Sequence, residues 1–295
     1  MLLLPFFVVQ APQCDWLNPT LPKPRQGKTT GEMDAWNKAF LRNQELVADL
    51  VEHHQAALDV VLVGDSIVEH IQGKEETLTS LQRDHEVFEK LFTKQGGGFI
   101  DGLPLGIAGD RCSNLLYRLE RGSLADPAFA PKVWWILIGT EDWEQGLGPD
   151  AIVAGIVATV KAIRSTHGHD AQIVVNSLLP RYDREENQWI QNINERLGCF
   201  VKTQMLIDSD LEYQKQQEQL AAAGDASTAT PGHFRRIQRM HFFNATNVFV
   251  ERKEDGSYVV NPALLVEDEG TRDAQAEYLW GKKIVETVLH LIEKS

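Results

Sequence analysis

Four times between residues 58 and 201 the sequence runs through one arrangement: a short strand-like run, a turn, and a stretch with helical apolar spacing. The first run, Asp59 to Val63, breaks at Gly64-Asp65-Ser66 before Ile67, Val68 and Ile71 resume a helical pattern. The second enters a turn at Gly106-Ile107-Ala108-Gly109-Asp110 and then a helix with Leu115, Leu116 and Leu119 inward. The third, Lys132 to Ile138, has no polar alternation after its first residue, which suits a parallel strand covered on both faces. The fourth, Gln172 to Asn176, leads through Ser177 to Arg181 into a helix from Glu185 to Val201. His241 to Asn244 reads as a fifth strand and Glu277 to Lys294 as a closing helix. Right-handed crossovers between such units give an α/β fold, a three-layer α/β/α sandwich around a parallel sheet of about five strands.

The chain reads as one domain over residues 33–295, opening with a helix from about Met33 to Ala56. An irregular leader, residues 1–32 with Pro19, Pro22 and Pro24, precedes it. An insertion at about 204–238 begins with a Gln/Glu-rich helical piece and ends in a small, polar loop. A net charge of -13, with no run of Lys and Arg, argues against nucleic acid or an anionic membrane as partner. No apolar stretch is long enough for a membrane span. Residues 1–11 are apolar but lack a positive start and contain Pro5, so a cytoplasmic protein is the expectation and secretion through that segment the alternative. Cys14, Cys112 and Cys199 are too few and too scattered for a disulfide framework.

The first turn carries the chemistry. It holds the Ser66 hydroxyl at the carboxyl end of a buried strand, where open α/β sheets bind ligands, beside the free N–H groups of a helix start. Ser66 is therefore a candidate nucleophile, with a plain helix cap as the alternative. No G-x-G-x-x-G or P-loop pattern occurs, so no nucleotide or other cofactor is expected.

The stretches VVLVGDSIVEHI, LGIAGDRCSNLLYRLERG, PKVWWILIGTEDW and IVVNSLLPR, with the segment around Glu269, resemble the ordered blocks of the SGNH (GDSL-type) hydrolases. The likeness is greatest to the catalytic subunits of platelet-activating-factor acetylhydrolases. It covers roughly residues 33–203 and 239–293, and Val68, where G-x-S-x-G would have glycine, separates the chain from ordinary α/β-hydrolases. The resemblance implies Ser66 as nucleophile and the N–H groups of Ser66 and Gly109 as oxyanion donors. Asp65, Asp110 and Asp142 belong to the same turns and count as candidate pocket residues.

Two departures bear on activity. Glu141 stands where the family has a donor asparagine, and an ionised carboxylate only accepts hydrogen bonds. Counting back from Tyr278, Glu269 and Arg272 stand where the family has Asp and His, and a guanidinium stays protonated and cannot serve as a general base. The resulting expectation is a protein of serine ester hydrolase descent with ordinary hydrolysis weakened or lost, in which Glu141 and Arg272 pair across the pocket to take a polar ligand in place of an acyl ester. One alternative is an active acyl-ester hydrolase whose base is Glu269 or a histidine such as His233, His241 or His290. Another is a site for Mg²⁺ or Ca²⁺ built from Asp65, Glu141, Asp142 and Glu269, which Arg272 opposes, so no metal is expected. A last alternative is a non-catalytic subunit kept as a homodimer or for a scaffold partner, as the resembled family forms dimers.

Overall fold

The structure is a computed structural model of the 295-residue chain, and the residues it describes are 18–26, 29–53, 58–71, 79–181, 183–222, 238–252, 258–260 and 274–294. Its strands are β1 (Val60–Gly64), β2 (Gly102–Gly106), β3 (Val133–Leu137), β4 (Gln172–Asn176) and β5 (Met240–Phe243). They make one parallel sheet in the order β2-β1-β3-β4-β5, in which Gly64 is level with both Gly106 and Leu137. Every residue of β1, β3 and β4 is buried, as an unbroken apolar pattern requires of strands covered on both faces. Trp134 and Trp135, adjacent on β3, point to opposite faces. Trp134 packs edge-on against Phe129 and over His167, while Trp135 meets Phe243 and donates Nε1–H to Asn176 Oδ1 at 3.1 Å.

Helices cover both faces. After β1 come α2 (Ser66–Ile71) and α3 (Thr79–Phe92), and α3 packs against the closing helix α9 (Ala274–Glu293). On the other side α4 (Cys112–Arg121), α6 (Pro149–His167) and α7 (Arg184–Ala222) pack in succession, and α1 (Thr30–Glu52) reaches α4 through the Trp36, Phe40 and Tyr117 rings. A short helix α5 (Thr140–Glu144) follows β3. Beyond β5, α8 (Thr246–Phe249) leads to an antiparallel pair, β6 (Val250–Arg252) with β7 (Tyr258–Val260). The helix expected to stop at Val201 runs on to Ala222, joining both helical pieces into one; Arg164 of α6 pairs with Asp208 and fixes the extension to the domain.

At the entry to β1, Asp59 is 3% exposed and holds three segments together. Its carboxylate accepts from Lys94 Nζ at 2.6 Å, from Lys132 Nζ at 2.7 Å and from the Asp101 N–H at 2.9 Å. Burial alone would raise its pKa, but these bonds outweigh it and hold the group below the ordinary value. A depressed folded pKa contributes stability that is full above the unfolded value of about 3.9 and is lost as pH falls through the folded value. Because both lysines are half-exposed, Asp59→Asn is expected to cost only about 1–2 kcal/mol at neutral pH. Urea unfolding of both proteins should show that difference shrinking as the solution is acidified.

Candidate active site

Ser66 is the first residue of α2, immediately beyond β1. The turn is built by Asp65, 1% exposed, whose Oδ1 accepts the Ile67 N–H at 3.0 Å and whose carbonyl accepts the Glu69 N–H at 3.0 Å. Asp65 thus starts the helix by satisfying its first donors. Ser66 itself is half-buried, and among the described residues neither its hydroxyl nor its N–H is hydrogen-bonded.

The turn after β2 lies beside it. Ile107 N–H donates to the Gly64 carbonyl at 3.2 Å and Ala108 N–H to Glu69 Oε2 of α2 at 2.8 Å. Gly109 has φ +73°, a left-handed conformation that a side chain resists, and its N–H is also unclaimed among the described residues. Asp110 turns inward and is fully buried. It pairs with Arg118 Nη2 at 2.8 Å and accepts Trp36 Nε1–H at 2.7 Å, while burial pushes its pKa up against the pull of Arg118. Arg118 in turn donates to the carbonyls of Leu105 at 2.6 Å and Gly64 at 2.9 Å. This brace joins the ends of β1 and β2 to the Gly109 turn, and it makes Asp110 a supporting group. Arg118 and Trp36 escape a search for catalytic motifs, though a charge three residues after Leu115 on an otherwise apolar helix side is a visible signal.

The third turn starts at Gly139, whose φ of +120° allows β3 to break directly into α5. Asp142 is buried there and accepts the Cys112 N–H at 2.8 Å, capping α4 from outside. Burial pushes both the Asp142 carboxyl and the Cys112 thiol upward. Glu141 is half-buried; burial raises its pKa, Gln145 at 3.0 Å lowers it, the Glu144 charge raises it, and Arg25 and Arg111 pull it down again. Among the described residues the cations acting on Glu141 are Arg25 and Arg111, neither of which the sequence motifs single out. Glu269 and Arg272 lie outside the described residues, as does His233.

Arg25 comes from the leader, which is fastened to the domain. Lys23 N–H donates to the Ser113 carbonyl at 2.9 Å, and Asn114 Nδ2 donates to the Lys23 carbonyl at 3.0 Å. The Arg25 guanidinium donates to the Ala108 carbonyl and covers Gly109. On the far side of the third turn, Arg181 stacks 5.3 Å from the Trp143 ring centroid and pairs with Glu144. The described histidines offer Ser66 no hydrogen bond: His241 Nε2 is held by Gln172 and Gln238, and His167 Nε2 by the Leu124 carbonyl, at the opposite, entry edge of the sheet. Burial lowers the pKa of both. That entry edge carries its own cleft of about 440 Å³, lined by Lys132, Trp134, His167, Gln172 and Arg239. Among the described residues no group of three or more His, Cys, Asp or Glu side chains is placed to hold a metal ion, and no helix is long and apolar enough to cross a membrane.

The sequence profile of the GDSL-like lipase/acylhydrolase family matches residues 62–235, more than half of the chain. The protein belongs to that family. One solved structure shares its fold, and others are similar to it. A GDSL-like lipase from Bacteroides thetaiotaomicron is 16% identical, with 78% of this chain and 87% of that one covered and a TM-score of 0.50. A candidate acylhydrolase from Bacteroides fragilis is 16% identical over 78% and 86%, with a TM-score of 0.49. A candidate platelet activating factor from Streptococcus pneumonia is 17% identical over 88% and 100%, with a TM-score of 0.46. No curated protein matches the sequence. In this GDSL-like chain the serine turn and the Gly109 turn sit at neighbouring strand ends of the five-stranded sheet, and Glu141 enters from the next.

Proposed function

We propose that this GDSL-like protein keeps the binding end of an acyl-ester hydrolase site while ordinary serine-triad hydrolysis is lost or severely weakened. The observation that carries the reading is the Ser66 hydroxyl without a partner: among the described residues no base is hydrogen-bonded to it. A serine hydroxyl is a poor nucleophile without a neighbouring base. Arg272 supports the same reading from the sequence, since it stands where the family's histidine belongs, and Glu141 supports it by replacing a neutral donor with a carboxyl. Losing one oxyanion donor costs about 10² to 10³ in turnover, and a disabled triad retains about 10³ to 10⁴ over water. Turnover of a short-chain acyl ester by the purified protein should accordingly equal that of Ser66→Ala; a rate well above the variant contradicts the proposal.

A second reading is favoured by one observation. The Ser66 turn, its free N–H and that of Gly109 are intact, as a working hydrolase with a non-standard base such as Glu269 requires. A partner role draws support from α7, whose outer half exposes Leu206, Ile207, Leu211 and Tyr213.

A further inference from the structure

At the entry edge of the sheet the starts of β3, β4 and β5 stand side by side, and they line the cleft of about 440 Å³. His167, the last residue of α6, and Ile292 of α9 complete its walls. A strand of five residues rises about 16 Å, so the cleft lies at the opposite end of the parallel sheet from the Ser66 turn. Most of its polar groups are engaged. Lys132 Nζ donates to Asp59 at 2.7 Å, and Gln172 Oε1 meets His241 Nε2 at 3.0 Å. His167 Nε2 donates to the Leu124 carbonyl at 3.0 Å, which leaves its buried Nδ1 a lone pair with no donor among the described residues. Burial lowers the pKa of that ring, which lies neutral over Trp134 at a centroid distance of 4.6 Å. Arg239 is the exception. The Ile173 N–H donates to its carbonyl at 2.9 Å and fixes its backbone, but among the described residues its half-buried guanidinium meets only Asp170 Oδ1, at 3.9 Å. That distance is beyond a hydrogen bond, and the Asp170 carboxylate is exposed to solvent that screens it.

We propose that this cleft is a second ligand site, separate from Ser66, for a small carboxylic acid with an apolar body, whose carboxylate takes the Arg239 guanidinium and whose hydrocarbon lies against Pro131, Ala171 and Ile292. The planar fork of a guanidinium matches the two oxygens of a carboxylate, and charge-assisted bonds of this type are about twice as strong as neutral ones. With Lys132 spent on Asp59 and His167 neutral, one uncommitted cation balances one negative charge, so a monoanion fits and a phosphate dianion does not. Mostly apolar walls with one placed polar anchor, around a volume within the range of about 300–1,000 Å³, are what a small-molecule site requires. The cleft binds its acid whether or not Ser66 turns over an ester.

The test is a calorimetric titration of the full chain with sodium octanoate, beside sodium hexanoate and the uncharged octanamide. Arg239→Gln and Arg239→Lys remove or reshape the anchor, Ala171→Phe fills the cleft, and Ser66→Ala probes the far edge. The expected result is saturable octanoate binding, stronger than that of hexanoate by up to about fourfold per buried methylene. Octanamide, or octanoate with Arg239→Gln, should bind at least about tenfold more weakly, the loss of a charge-assisted bond; Arg239→Lys restores part of it. Ala171→Phe should abolish binding and Ser66→Ala leave it unchanged. Circular dichroism melting establishes that each variant is folded, and the octanamide comparison needs no variant. Absent saturable binding, octanamide equal to octanoate, or equal binding in Arg239→Gln or Ala171→Phe overturns the proposal. Binding lost in Ser66→Ala also overturns it, by placing the acid at the serine turn.

Discussion

Replacing Arg118 by methionine is expected to destabilise the protein by about 3–5 kcal/mol, the usual loss when one member of a buried ion pair is removed. Both partners are sealed from solvent, with Arg118 at 2% and Asp110 at 0% side-chain exposure. The substitution leaves Asp110 buried with only the Trp36 indole as partner and removes the Arg118 donor from the Leu105 and Gly64 carbonyls, the second of which keeps the Ile107 N–H. An isolated buried carboxylate is far more costly than the pair, which is itself worth little against a well-packed apolar replacement. The double variant Arg118→Met with Asp110→Leu should therefore recover much of the loss. Urea unfolding of the three proteins measures both effects. A loss below about 1 kcal/mol in the single variant would mean that the brace does not hold the two turns together.

The largest expected gain comes from restoring the family's residues. Glu141→Asn returns a neutral donor, worth about 10² to 10³ in turnover, and Arg272→His with Glu269→Asp returns a base and its orienting carboxylate, worth about 10² to 10⁴. The triple variant should hydrolyse a short-chain acyl ester at least about 10²-fold faster than the natural protein, with Ser66→Ala abolishing the gain. The separate changes will fall short of their product, because a triad acts as a unit.

The sheet was legible because its signal is periodic and local. Runs such as Val133 to Leu137 bury every residue, and buried strands announce themselves without any knowledge of their neighbours. The serine turn and Gly109 were legible for a related reason, since a strand breaking at glycine into a helix constrains the backbone. What the sequence concealed depends on contacts between distant segments. Trp36 reaches Asp110 across 74 positions, and Arg25 reaches Ala108 across 83. No local pattern marks a leader arginine as lying on the Gly109 turn, and the prolines around it suggest only irregular chain. Asp110 and Asp142 looked like pocket groups because they follow strand ends, yet one is spent on Arg118 and the other on the Cys112 N–H. Their acidity is used to hold turns in place, which residue type alone does not reveal.

The central claim, that Ser66 is held in a hydrolase turn but is not activated, is tested most directly by labelling with a fluorophosphonate probe, which reacts only with an activated serine. The natural protein, shown to be folded, should remain unlabelled and indistinguishable from Ser66→Ala, while the triple variant carrying Glu141→Asn, Glu269→Asp and Arg272→His becomes labelled. Labelling of the natural protein that disappears in Ser66→Ala would contradict the account and establish a working base at this site.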